Sequence, residues 1–308
     1  GMDDTHYNRD LVVANILFGA NFSFYVSLTD GGMDFRLIFL CQILVGVVVF
    51  VPAAAVTRAF YRLTLRDAAV MALVTLLIVY GWLYMLLWGA SLTSPIDAST
   101  IATLGPAFTL VTAIILHRRR VIWADIAGII FALAGGAVLI FNRGEGLVRG
   151  SEGYGNLIVL GAVIAAAVNT VLIKPQLTRL GVRQVLGWCY LMAAAAVTPL
   201  IIRYASADTV RMLSHAALTL RTEILYLLIF GTVLPIYLLY RGAAGLTSVH
   251  TALYRYIQPI VATVLALVRR QEHIDRANTV AAGLIVAAVI FTMIGFSHAK
   301  RTHQQKKL

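Results

Sequence analysis

Of the 308 residues, 60% are apolar and 13% charged, and the mean hydropathy of +0.84 lies outside the range of soluble globular domains, so lipid is the expected solvent. The net charge of +11 is scattered in twos and threes between apolar runs and forms no single basic stripe. That pattern excludes nucleic acid as a partner and leaves the cations to loops facing anionic lipid.

Gly1 ahead of Met2 reads as an added residue, and the polar stretch 3–10 lacks the basic start and small-residue cleavage site of a secretory signal. The first apolar run is therefore expected to remain as a helix. Runs at 11–28, 36–57, 68–90, 97–116, 122–141, 156–174, 185–203, 222–241, 247–268 and 277–297 each approach the roughly 20 residues that cross a bilayer core. They predict an all-α membrane protein with ten transmembrane helices. Barrel strands would alternate in segments of about ten residues, and these runs are apolar on all sides.

Between the fifth and sixth runs, the stretch 142–155 holds Gly144, Gly146, Gly150, Gly153 and Gly155 and reads as a linker. A phosphate-cradling loop would need a strand before it. The chain then divides into a tail at 1–10, a five-helix unit at 11–141, the linker, a second five-helix unit at 156–297 and a basic tail at 298–308. With the N-terminus inside, fifteen Lys and Arg fall on the inner side and nine on the outer. The positive-inside rule thus places both termini in the cytoplasm, with the protein in a bacterial inner membrane. Cys41 and Cys189 lie within apolar runs as small hydrophobes and imply no disulfide framework.

The halves repeat one another. Gly89-Ala90-Ser91-Leu92-Thr93-Ser94 returns as Gly242-Ala243-Ala244-Gly245-Leu246-Thr247-Ser248, and Pro106 and Pro259 follow at nearly equal distances. Each proline opens an apolar stretch that ends in a basic cluster, His117-Arg118-Arg119-Arg120 or Arg269-Arg270. Because a unit of five crossings is odd, the second copy enters the bilayer from the opposite side, an inverted repeat of the kind that rocks about a midplane site.

Arg255 is the most informative single residue. An arginine near a helix centre costs roughly 2.5–3.5 kcal/mol on insertion scales, and none of the fourteen carboxylates falls near a span centre to offset it; Asp97 comes nearest. Beside Tyr254 and Tyr256 in a watery cavity, this guanidinium suits an anionic or carboxylate-bearing solute, with purely structural bonding as the competing reading. His250, Tyr254 and Gln258 recur every four residues and Thr251 and Arg255 adjoin them, which gives the ninth helix a polar face expected to line the cavity. Tyr80 and Tyr84 of the third helix, Asn21 of the first, Gln42 of the second and Asn169 of the sixth complete the candidate lining, with helix-to-helix bonding as the alternative. Pro106 and Pro259 lack a backbone donor and are candidate hinges.

These pieces resemble the drug/metabolite transporter superfamily, specifically its bacterial EamA-type ten-helix members. The resemblance runs from about Leu11 to Phe296 and is carried by Phe18-Gly19-Ala20-Asn21-Phe22, by Gly89 through Pro106, and by Gly242 through Pro259 with Glu272. It departs from the family at Gln42, where an arginine is common, and near Arg119, where an acidic residue is common. The resemblance implies a secondary transporter, an exporter or exchanger of small metabolites such as amino acids.

The expected partners are a small-molecule substrate and the lipid bilayer, for a monomer or homodimer with neither cofactor nor metal. An ATP-driven pump is disfavoured because no Gly-Lys dipeptide occurs and only four lysines are present. Two rivals stand beside the carboxylate reading. An intramembrane enzyme would need a nucleophile with a base, or paired aspartates, at depth; an exporter of cationic drugs would need a cavity that tolerates positive charge.

Overall fold

The structure, a computed structural model, describes residues 4–118, 120–141 and 151–305. Arg119, most of the expected linker (142–150) and the last three residues of the basic tail lie outside the described residues. Helices α1 (Thr5–Asp30), α2 (Phe35–Val56), α3 (Leu65–Ala90), α4 (Pro95–His117), α5 (Trp123–Phe141), α6 (Ser151–Leu180), α7 (Val182–Ala196 with Thr198–Tyr204), α8 (Leu218–Gly245), α9 (Ser248–Val268) and α10 (Arg276–Gln305) make up almost all of it. A short helix, Ala207–His215, joins α7 to α8, and no strand occurs among the described residues.

Among the described residues, eight of these helices are long and apolar enough to cross a membrane, and α7 makes a ninth if its two pieces, bent by 55°, count as one span. The apolar part of α5, Trp123–Leu139, is shorter. Several boundaries move, and helix α10 continues to Gln305, through most of the expected basic tail. Helix α1 begins at Thr5, inside the expected tail, and α6 runs from Ser151 to Leu180, so 151–155 is helix where a linker was expected. The break in α7 follows from Pro199, which sits in the first turn of the second piece and has no N–H to continue the ladder.

Local chemistry sets the helix ends. Asp34, Thr64, Ser94 and Thr247 accept hydrogen bonds from the backbone N–H groups of Arg36, Asp67, Asp97 and His250, and Pro95 follows Ser94 in the first helical turn. Arg118 and Arg270, the residues that close α4 and α9, both adopt left-handed backbone, with φ of 49° and 55°. The basic turns that the sequence repeats therefore share a conformation.

Packing between the halves is reciprocal. Helix α1 lies against α8 and α9, while α6 lies against α3 and α4; α2 packs on α7, α4 on α9, and α5 on α10. The repeated glycines make this possible. A Cβ on Gly89 would come within 2.8 Å of the Gly155 carbonyl and 3.0 Å of the Val159 nitrogen, both in α6, and one on Gly242 would come 2.5 Å from Leu11 in α1. Small residues thus let each first helix nest against the opposite half. Leucines, isoleucines and valines such as Val48, Ile115, Ile130, Ile260 and Val286 face outward, and the buried polar groups are gathered inside, the arrangement a bilayer demands.

Irregular turns also come in matched pairs. A π-helical turn interrupts α3 at Leu77–Tyr84 and α8 at Ile229–Val233. Helix α4 breaks at Thr103 and Leu104 between Pro95–Ala102 and Gly105–His117, and α9 tightens into a 3-10 turn at Tyr254–Tyr256. Pro106 stands just after the α4 break, in the first turn of the following segment, where a missing N–H costs little, and Pro259 is the third residue after the 3-10 turn of α9.

Candidate functional site

Three of the four irregular turns, those of α3, α8 and α9, open on one cavity of about 120 Å³, walled by α1, α2, α3, α6, α7, α8 and α9. Both π-helical turns contribute to its wall, Ile78 and Trp82 from α3 and Gly231 and Thr232 from α8. A π turn carries an extra residue and so displaces side chains from the regular helical stripe, a feature common at functional sites.

Arg255 enters the cavity from the 3-10 turn of α9. Its Nη2 donates to the Thr170 hydroxyl at 3.4 Å, and its guanidinium carbon lies 5.6 Å from the centre of the Trp82 ring. Gly105, just beyond the break in α4, leaves room for it: a Cβ there would stand 3.1 Å from both Cδ and Nη1. Nη1 is buried without a hydrogen-bond partner. The second cation on the wall, Lys174, donates at 2.8 Å to the carbonyls of Ala243 and Ala244 at the end of α8. Among the described residues no aspartate or glutamate lines this wall, so both cations face it without a counter-charge.

Carboxamides occupy the remaining polar positions. Gln258 donates at 2.8 Å to Asn15, whose own amide donates to the Leu11 carbonyl. Asn21 donates at 2.8 Å to the Gly231 carbonyl, made available by the π turn. Gln42 donates to the hydroxyls of Tyr25 at 3.1 Å and Thr232 at 2.9 Å. The Thr232 hydroxyl gives its own proton to the Leu227 carbonyl, which requires the Gln42 amide nitrogen, not its oxygen, to face it. The side-chain oxygens of Asn21, Gln42 and Asn169 are buried and have no partner.

Of the residues expected from sequence, Arg255, Gln258, Asn21, Gln42 and Asn169 thus meet at the cavity, and four others stand apart from its wall. The Tyr254 hydroxyl bonds to Asn8, and the His250 ring stacks on Tyr254 at 5.7 Å. The polar face of α9 therefore splits: Thr251, Arg255 and Gln258 turn inward, while His250 and Tyr254 turn toward the start of α1. Tyr80 donates at 2.5 Å to the Ala196 carbonyl, which the α7 break has left without a helical partner, and Tyr84 accepts from Arg36 at 3.3 Å.

Trp82, Lys174, Thr170, Asn15 and Tyr25 join the wall beyond that expectation. Lys174 reads as a loop cation when α6 is ended at 174, but the helix continues to Leu180 and carries it inside. The four-residue spacing from Thr170 to Lys174 was the available signal.

Polar clusters stand at both ends of the helix bundle. At one end Arg241 holds Asp10 through two bonds of 2.5 and 2.7 Å, and Arg179 holds Asp67 at 2.9 and 2.5 Å. At the other end Glu223 pairs with Arg269, while Ser27 donates to Glu223 and Arg269 donates to Ser23 at 2.9 Å. Asp97, fully buried on that side, accepts from Asn156 at 3.0 Å and Asn278 at 2.8 Å, and Glu272 accepts from the Ile96 backbone at 2.5 Å. These bonds join α1 to α8 and α9, and α4 to α6 and α10.

Comparison with known proteins accords with this architecture. Residues 153–294 match the EamA-like transporter family. An uncharacterized transporter of Clostridium kluyveri is 27% identical over 289 residues, covering 90% of this chain and 88% of that protein. The uncharacterized transporter YetK of Bacillus subtilis is 22% identical over 259 residues, covering 82% and 76%. A solved crystal structure with 19% identity shares the fold at a TM-score of 0.66, covering 95% of this chain and 98% of that one. With its second half matching that family, most of its length resembling proteins named as transporters, and many apolar helices around a polar cavity, the chain is a multi-pass membrane protein and a transporter of small solutes whose second half is EamA-like.

Proposed function

We propose that this protein is a secondary transporter that exports or exchanges small carboxylate-bearing solutes, amino acids among them, by alternating access about the cavity. The observation that carries this reading is the unpartnered Nη1 of Arg255 on a wall that holds two cations and, among the described residues, no carboxylate. A buried guanidinium with an unsatisfied donor is costly unless a ligand supplies the acceptor, and a carboxylate does so through a charge-assisted bond. The same wall opposes a cationic drug as cargo, because two fixed positive charges repel it.

In this reading the chain crosses the bilayer ten times as two inverted five-helix units, with α5 and the bent α7 as the remaining crossings. The reciprocal packing and the paired irregular turns support it. Both termini lie in the cytoplasm of a bacterial inner membrane. The arginines of the three ion pairs gather by side as the charge count puts them, Arg241 and Arg179 inside at one end of the bundle, Arg269 outside at the other.

The test is counterflow in proteoliposomes with amino acids, organic acids and cationic drugs, for the wild type and Arg255→Ala. Carboxylates are expected to exchange in the wild type and to lose at least tenfold in rate in the variant, the loss of one charge-assisted contact. Transport of cations alone, or an Arg255→Ala variant that carries carboxylates at the wild-type rate, overturns the proposal.

A further inference from the structure

A second cavity, of about 530 Å³, lies where α3, α4 and α6 meet, at the Arg179 end of the bundle. Its polar residues come from helix ends. Thr64 and Arg66 stand at the start of α3, His117 closes α4, and Gln176 and Arg179 belong to the last turns of α6. The lining residues nearer the middle of the same helices are apolar. Val70 is about one turn further into α3 than Arg66, and Val171 and Leu172 are about two turns back along α6 from Arg179. Leu116, next to His117, is 49% exposed.

The charges here are unevenly engaged. Asp67, 4% exposed, is held by Arg179 through bonds of 2.9 and 2.5 Å, so the carboxylate of this wall is already neutralised. Arg66 and His117 are exposed and make no ion pair or side-chain hydrogen bond among the described residues. Arg179 keeps its Nε outside its bonds to Asp67 and Gln176. A free anion in water would need only these donors. The apolar lining calls for an amphiphile, with its charge at the helix ends and its hydrocarbon toward the helix middles. Phospholipids are ordered that way in a bilayer, and basic pockets between transmembrane helices hold anionic headgroups.

We propose that this cavity holds one anionic phospholipid, with Arg66 and His117 donating to its phosphate and an acyl chain lying against Val70, Leu116 and Leu172. The site is separate from the central cavity and does not depend on which solute is carried. A phosphatidylcholine of the same chain length meets the same apolar lining but brings a cation toward Arg66, so the site discriminates by headgroup.

Equilibrium binding of radiolabelled dioleoylphosphatidylglycerol and dioleoylphosphatidylcholine to the full chain in detergent micelles tests this. The phosphatidylglycerol is expected to bind roughly fivefold more tightly, the contribution of one cation near a headgroup. Arg66→Gln combined with His117→Gln is expected to bring the ratio of the two affinities near one. Arg221→Gln, which removes an exposed arginine at the other end of the bundle, is expected to leave the ratio unchanged. Leu116→Asn is expected to weaken both lipids and preserve their ratio. Equal binding of the two lipids by the wild type, or a preference that persists in the double variant, overturns the proposal. Inorganic phosphate separates a lipid from a free anion: at millimolar concentration it is expected to leave phosphatidylglycerol bound, and its displacing the lipid would overturn the lipid assignment.

Discussion

Gly89→Ala tests whether close backbone approach holds the two halves together. The added Cβ would lie 2.6 Å from a Val159 methyl, 2.8 Å from the Gly155 carbonyl oxygen and 3.0 Å from the Val159 nitrogen. Two of these three atoms are backbone, so no rotamer change relieves the clash and α3 must move away from α6. Overpacking costs up to about 3 kcal/mol, and the better helix propensity of alanine returns about 1 kcal/mol. The net loss is about 2 kcal/mol, or roughly thirtyfold in the ratio of folded to unfolded protein. Dodecyl sulfate titration in mixed micelles, followed by circular dichroism, reads this ratio. Gly283→Ala is the control, because nothing lies within 4 Å of a Cβ there, and it is expected to stabilise by up to about 1 kcal/mol. Equal responses at the two sites, or a Gly89→Ala protein as stable as the wild type, would refute the reasoning.

Two further outcomes follow from the site and its ends. Glu223→Gln leaves Arg269, a quarter exposed, without its carboxylate, and is expected to destabilise by roughly 3 kcal/mol, whereas the double variant with Arg269→Gln recovers most of that loss; a single variant no less stable than the double removes the argument. Trp82→Ala takes away the ring beneath Arg255 and is expected to weaken carboxylate binding roughly fivefold, with Trp82→Phe retaining part of it. Identical affinities in all three proteins would show that the ring has no part in holding the guanidinium.

Much of the helical pattern was legible because lipid-facing runs of about 20 residues leave a strong signal. Glycines and prolines of the repeat were legible too, although their purpose was not: Gly89 and Gly242 prove to be points of contact with the opposite half, a relation that no local pattern carries. The cavity was legible in part. Arg255 and Gln258 stand out because a charge or amide in an apolar run must turn inward, and Asn21, Gln42 and Asn169 follow the same rule. Tyr80 obeys it as well, but its partner is the carbonyl freed by the break in α7, and a sequence does not reveal where a neighbouring helix has lost a bond. His250 and Tyr254 were placed by regular helical spacing, whereas the tighter turn at Tyr254–Tyr256 alters which positions share a face. Lys174 was obscured by an early helix end.

The crossed seating of α1 against α8 and α9 bears on how the molecule is made. Translation delivers α1 first and α9 almost last, so the polar side chains of α1, Asn15 and Asn21 among them, wait in the bilayer without their final neighbours while most of the polypeptide is still being synthesised. Assembly therefore cannot finish one half at a time. It completes only when the later helices arrive, and a ribosome stalled after α5 leaves an intermediate whose unmet amides are exposed to chaperones and membrane proteases.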